Sequence, residues 1–314
     1  MRLFFLLAPA VALCQAPGFT VPEELSYRRA NIISEGTRMS AEVFTPKSSA
    51  GKKLPAIVMA HGWGGVAASL RPEAVAFAKA GYLVLTFDYR GWGNSDSRVI
   101  LTTPEPPRTP GATTAPKYTA EVRDVREVVD PLDMAADWFN AIHWLQGEPQ
   151  FDPARLGLWG SSYSGGLVVF VAEHDRRVKA LHSQVGALDS RPLNDAGWAT
   201  AYQEATKMAR GELEYPAPGA KVIGNLKGAP IWSKLILYSP VDDLAKAGNC
   251  AMQFVIAEKE ELFDNKDHVL KAYPQVKGPK NLVIVPKITH YGIYGEARAQ
   301  ARDLAIAWFD KYLK

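Results

Sequence analysis

Apolar and polar positions fall into two regimes along this chain. Short, nearly unbroken apolar runs occur at Leu54–Ala60 (LPAIVMA), Tyr82–Phe87, Arg155–Trp159, Val178–Val185, Ala251–Ala257 (AMQFVIA) and Asn281–Pro286 (NLVIVP). Their length and scarcity of charge, with Lys179 the one charge inside a run and Arg155 at the start of another, are those of strands covered on both faces. Between them lie longer stretches at helical spacing, Leu70–Ala80, Val128–Leu145 and Gly166–His174, and the amphipathic Leu304–Leu313 follows the last run. Breaks such as Gly81 and Asp152-Pro153 separate the two kinds. Strand and helix in alternation predict an α/β fold with a mostly parallel central sheet flanked by helices. Leu25–Ser34 and Met39–Phe44, ahead of the first core run, read as an antiparallel edge.

Two segments interrupt this rhythm. Ser97–Tyr118 is rich in proline and reads as a long loop. Leu188–Ala247, between the sixth and seventh strands, carries helical stretches at Gly197–Arg210 and Ile231–Leu237, and reads as a small helical lid insertion. Trp198, Tyr202 and Trp232 are the candidates to line its underside and touch substrate, with Trp92 facing them from the loop after Phe87. The alternative for each aromatic is plain core packing.

Composition narrows the partners. Apolar residues make up 47% of 314, so the chain can bury a large core. A net charge of +3 without a Lys/Arg run gives no footprint for nucleic acid or an anionic membrane surface. In Met1–Ala16, Arg2 precedes the apolar run LFFLLAPAVAL, too short for a stable membrane span, and Ala10 and Ala12 offer a cleavage site. That pattern predicts a signal peptide over 1–16, a secreted or periplasmic protein and one domain over 17–314. After cleavage Cys250 remains of the two cysteines, so no internal disulfide is expected. No H-E-x-x-H, C-x-x-C or G-x-x-x-x-G-K-[ST] occurs, and no cofactor or metal is expected.

The chemistry concentrates in Arg155–Gly166 (RLGLWGSSYSGG). An apolar strand turning through Gly160-Ser-Ser162-Tyr-Ser-Gly165 into a helix lifts Ser162 out of the backbone as a nucleophile, beside the unpaired N–H groups of the helix start. Ser164 stands where G-x-S-x-G wants its last glycine, and Gly165 follows. His61-Gly-Trp-Gly-Gly65, after the run at Leu54–Ala60, is placed to supply a second oxyanion-hole amide. Those amides are assigned to Trp63 and Tyr163, with His61 read as structural. His290, just past the last core run, is the candidate base; His143, His174, His182 and His268 read as surface or capping residues. The orienting acid is sought after Ala251–Ala257, where Glu258, Glu260, Glu261 and Asp264 compete. Glu260 is preferred, with Glu261 and Asp264 as alternatives.

These pieces resemble the α/β-hydrolases, and G-S-S-Y-S-G resembles the G-x-S-Y-x-G elbow of the Xaa-Pro dipeptidyl-peptidase-like and dienelactone-hydrolase-like branches. HGWGG at 61–65, DYRGWGNSD at 88–96, DPLDMAADW at 130–138, FDPARLGLWG at 151–160, AEKEELFDN at 257–265 and THYGIY at 289–294 follow in that family's order. The resemblance implies Ser162 as nucleophile, His290 as base, and Glu260 where aspartate is usual. True dipeptidyl peptidases carry a large β-sandwich after the hydrolase domain, and the resemblance is expected to be to their catalytic domain only. The expectation is a secreted serine hydrolase cleaving a small-molecule carboxylic ester through an acyl-serine. Its rivals are amide or peptide cleavage, thioester hydrolysis, acyl transfer, and a binding protein with a vestigial triad.

Overall fold

The protein was analysed as a computed structural model that describes residues 19–108, 110–114, 117–217 and 226–314; the expected signal segment lies outside them. Eight strands form the main sheet: β1 (Leu25–Ser34), β2 (Thr37–Pro46), β3 (Leu54–Ala60), β4 (Leu83–Phe87), β5 (Phe151–Ser161), β6 (Val178–Gln184), β7 (Ala251–Lys259) and β8 (Lys280–Thr289). Their spatial order is β1-β2-β4-β3-β5-β6-β7-β8. The β1–β2 and β2–β4 pairs are antiparallel and all others parallel, as the two regimes predict.

The central strands are covered on both faces because their residues alternate between two cores. Ala56, Val58 and Ala60 of β3, with Leu156 and Leu158 of β5, pack against α2 (Pro131–Leu145) and α3 (Tyr163–His174). Ile57, Met59 and Trp159 point the other way, toward α1 (Arg71–Lys79) and the C-terminal helix Arg298–Leu313. That side is tight at Gly157, where a Cβ would sit 2.8 Å from Leu313.

Several boundaries differ from the sequence reading. Val128–Leu145 is split: Val128–Val129 pairs as a short strand with Ala229–Pro230, and Asp130 then caps α2 by accepting from Leu132 N and Asp133 N. Proline at the first helical position and a capping carboxylate before it make this the natural start. The expected loop Ser97–Tyr118 begins with a strand, Arg98–Leu101, antiparallel to Val122–Val125. The nucleophile helix starts at Tyr163, three residues earlier than the apolar run suggested. Between β6 and β7 lies α4 (Asp195–Ala209), capped by Asn194 accepting from Gly197 N. A single turn follows at Trp232–Leu235.

Candidate active site

The elbow is held in a conformation its sequence has to tolerate. Ser162 has φ 59° and ψ −125°, a region that costs a non-glycine residue of order 1–3 kcal/mol and survives only where neighbours over-determine it. They do so here. Ser162 N donates to Gln184 O at 2.9 Å, and its carbonyl accepts from Gly165 N at 2.9 Å and Ala187 N at 3.1 Å. The close approach of strand and helix explains the small residues. A Cβ on Gly160 would lie 2.2 Å from Ser164 O, and one on Gly166 would lie 1.8 Å from Ala187 O. Glycine is therefore needed at 160 and 166, while Ser164 is accommodated with its side chain buried.

Ser162, His290 and Glu260 come together at the carboxyl ends of β5, β8 and β7. His290 Nε2 is 2.9 Å from Ser162 Oγ, and Nδ1 is 2.9 Å from each oxygen of Glu260. The His290 and Glu260 side chains are 1% and 2% exposed. An ionised carboxylate only accepts, so Nδ1 carries the proton and Nε2 turns its lone pair to the serine hydroxyl. Glu260 comes directly after β7, which runs two residues beyond the apolar stretch read from sequence.

The other acidic candidates do different work. Glu261 accepts from the backbone N–H of His290 at 2.5 Å, and Glu258 accepts from Lys287 N at 2.6 Å. The acid loop thus grips the histidine loop by its backbone as well as by its imidazole. Asp264 accepts from Lys266 N within its own turn.

The glycine-rich loop after β3 leans on the elbow. A Cβ at Gly62 would sit 3.2 Å from Ser162 Cβ and 3.5 Å from Tyr163 N. Tyr163 opens α3, so its amide has no partner within the helix. Neither the Trp63 nor the Tyr163 amide has a hydrogen-bond partner among the described residues. The two rings meet edge-on, 5.3 Å between centroids, and Ser190 Oγ lies 3.4 Å from the Tyr163 hydroxyl. Behind Ser162, Gln184 Nε2 donates to Ser161 Oγ, which donates to Tyr294 Oη at 2.8 Å. Burial pushes the Tyr294 phenol up to about 12, so it stays protonated there.

Ser162, Trp63 and Tyr163 border a cavity of about 900 Å³, and Trp198, Trp232 and Leu235 supply its apolar wall. Two expected substrate contacts lie elsewhere. Trp92 is 2% exposed and donates from Nε1 to Val128 O, with its ring packed toward His61. Its position is a structural one, because the short strand at Val128 offers a carbonyl the loop reading did not foresee. Tyr202 is 55% exposed and does not border the cavity, although its ring lies 6.0 Å from that of Trp198. His61 is buried with Nδ1 2.9 Å from Gly62 O. His182, read as a surface residue, is buried inside β6 with Nδ1 2.8 Å from Gln253 Oε1. His268, also passed over, borders the cavity. Among the described residues no group of His, Cys, Asp and Glu is arranged to hold a metal, and no helix is long and apolar enough to cross a membrane.

Sheet order, the strained serine between β5 and α3, and the histidine beyond β8 define an α/β-hydrolase. Residues 35–209, more than half of the chain, match the family described as X-Pro dipeptidyl-peptidase (S15 family), and the chain belongs to that family. It is similar to an uncharacterized 31.7 kDa protein of Escherichia coli from the traX-finO intergenic region, at 25% identity over 90% of this chain and 98% of that one. It is also similar to the thiohydrolase AneE of Aspergillus aculeatus, at 29% identity over 51% of this chain and 42% of that one. Among solved structures, the α/β hydrolase GrgF from Penicillium sp. sh18 matches with a TM-score of 0.66 at 17% identity, over 92% of this chain and 99% of the other. That last likeness is one of fold.

Proposed function

We propose that the protein is a serine hydrolase that cleaves a carboxylic ester through an acyl-serine intermediate. The unbroken hydrogen-bonded series Ser162 Oγ–His290 Nε2 and His290 Nδ1–Glu260 carries the reading. Ser162 Oγ attacks the ester carbonyl while His290 Nε2 takes its proton, and Glu260 stabilises the resulting imidazolium. The carbonyl oxygen, now negative, is received by the amides of Trp63 and Tyr163 at the positive end of α3. The tetrahedral centre collapses, the alcohol leaves with the proton from His290, and the acyl group stays on Ser162. Water, deprotonated by the same imidazole, then releases the acid and restores the serine.

Ester cleavage is favoured over removal of residues from a free peptide N-terminus, because the adjacent carboxylates Asp242 and Asp243, the kind of pair that could hold a free ammonium, are otherwise engaged. Asp242 pairs with Arg191 at 2.7 Å and Lys271 at 3.1 Å, and Asp243 pairs with Lys246 at 2.8 Å. A thioester is the second reading, favoured by the likeness to a protein named thiohydrolase. The segment 188–247 is read as a lid, and the apolar Met1–Ala16 supports export.

The test is a panel of p-nitrophenyl esters, acyl thioesters and aminoacyl p-nitroanilides, with Ser162→Ala alongside and a fluorophosphonate probe. Ester turnover and probe labelling, both abolished in Ser162→Ala, are expected. Undiminished turnover in that variant overturns the reading, and anilide turnover in place of ester turnover moves it to a peptidase.

A further inference from the structure

His268 sits on the cavity wall with no part in the proton relay described above. Two backbone N–H groups converge on its Nδ1, from Leu188 at 2.9 Å and Asp189 at 3.2 Å. Both are donors, so Nδ1 is an acceptor and cannot carry a proton; the ring is the Nε2–H tautomer. Its Nε2 has no protein partner among the described residues, on a ring that borders the cavity. The Phe263 ring touches both histidines, 4.3 Å from His268 and 5.8 Å from His290 by centroid, so this donor stands beside the reaction centre.

We infer that His268 is a fixed, neutral hydrogen-bond donor that recognises a second oxygen on the substrate, apart from the scissile carbonyl. The substrates are then oxygenated esters or thioesters, carrying a hydroxyl, ketone or ether oxygen near the bond to be cleaved, in place of plain alkyl ones. The surroundings explain why the group is a histidine held neutral. Asp189, Asp267, Glu260 and Asp264 all favour a proton on the ring, and Arg191 and Lys271, which line the same cavity, are themselves paired with Asp189 and Asp242. Burial outweighs the carboxylates and lowers the imidazole below its ordinary range, and the two amide dipoles leave Nδ1 no room for a second proton. A lysine or arginine at this place would bind one of those carboxylates, whereas a neutral imidazole keeps its donor free for an uncharged oxygen. The single turn Val269–Ala272 after it fixes the backbone, with Ala272 N donating to His268 O at 3.0 Å.

The inference rests on the hydrolase reading for its kinetic test and is independent of it for its spectroscopic one. His268→Asn keeps an acceptor oxygen for the Leu188 and Asp189 amides, while its own amide N–H, on a shorter side chain, falls short of the place that the imidazole Nε2–H holds in the cavity. Matched pairs, p-nitrophenyl hexanoate against its 3-, 4- and 5-oxo analogues and butyl acetate against 2-methoxyethyl acetate, are compared as ratios of kcat/KM, so that intrinsic ester reactivity cancels between enzymes. The wild type is expected to prefer at least one oxygenated partner, and His268→Asn to lose about tenfold of that preference, read as the ratio within each enzyme. Equal ratios in wild type and variant across every pair overturn the inference while leaving the hydrolase reading intact. Inactive wild type on every ester instead counts against the hydrolase reading. In ring-¹⁵N-labelled protein, His268 is expected as the neutral Nε2–H tautomer at pH 6; an imidazolium there overturns the inference whatever the kinetics say.

Discussion

Helices α3 and α4 both border the cavity, yet they are held in opposite ways. Ten of the 12 residues of α3 are buried, and its first residue follows the serine directly. Of the 15 residues of α4, only Ala201 is buried, and the helix relies on its Asn194 cap, with Asp195 in the first turn and Lys207 in the last. An element with so little buried surface opens at low free energy, whereas α3 opens only with the core. Ser162 and Tyr163 therefore stand on a helix packed into the core, and the aromatic that shapes the apolar wall, Trp198, stands on one that is not.

The contrast is broken or sharpened by three substitutions. Glu260→Gln gives the largest effect, since an amide cannot hold the imidazolium and the His290 tautomer is no longer dictated. A fall in kcat of about 10³–10⁴-fold is expected with the melting temperature within a few degrees of wild type, measured on a p-nitrophenyl ester and by thermal melt. Retained kcat would hand the acid role to Glu261 or Asp264.

Trp198→Ala comes next. Removing an aromatic from the apolar wall is expected to raise KM about tenfold for a long-chain ester and leave kcat alone. The melting temperature should move by under about 2 °C, because α4 contributes little burial. A large drop in melting temperature would mean that α4 is part of the core, and the contrast with α3 would fail.

The last effect is one of stability alone, with no change in activity expected, and falls on α3 itself. Glu173, in its last turn, is 7% exposed, neither carboxyl oxygen has a partner among the described residues, and burial pushes its pKa up to about 9. The folded chain keeps this proton at pH values where the unfolded chain releases it. Its penalty is absent below about pH 4.5, grows as pH rises, and levels off near 9. Glu173→Gln should therefore melt a few degrees above wild type at pH 8, with the gap closing toward pH 4.5. A gap that is constant with pH would show that Glu173 titrates alike in the folded and the unfolded chain, and that burial does not raise its pKa.

What was legible in the sequence followed from local pattern. Apolar runs of strand length located six of the eight strands of the main sheet, the two stretches ahead of them located its antiparallel edge, and glycines crowding one serine located the elbow, because these signals are local. Trp92 and Tyr202 were misplaced for the opposite reason. The carbonyl that claims the Trp92 indole belongs to a strand paired with residues about 100 positions away, and the outward turn of Tyr202 depends on where α4 is anchored. His268 was overlooked because nothing within its neighbourhood of sequence marks it. The amides that fix its tautomer come from the loop after β6, 79 and 80 residues earlier.

The grip of Glu258 and Glu261 on Lys287 and His290 has a consequence for anyone rebuilding this scaffold. The loops after β7 and β8 are not two interchangeable parts. Residues 258–261 and 287–290 form one cassette, with the imidazole contact and both backbone contacts set by a single relative height of adjacent strands. A graft that exchanges either loop alone would carry its histidine or its glutamate to the right address and leave it facing the wrong way, whereas the pair moved together would bring its own alignment with it.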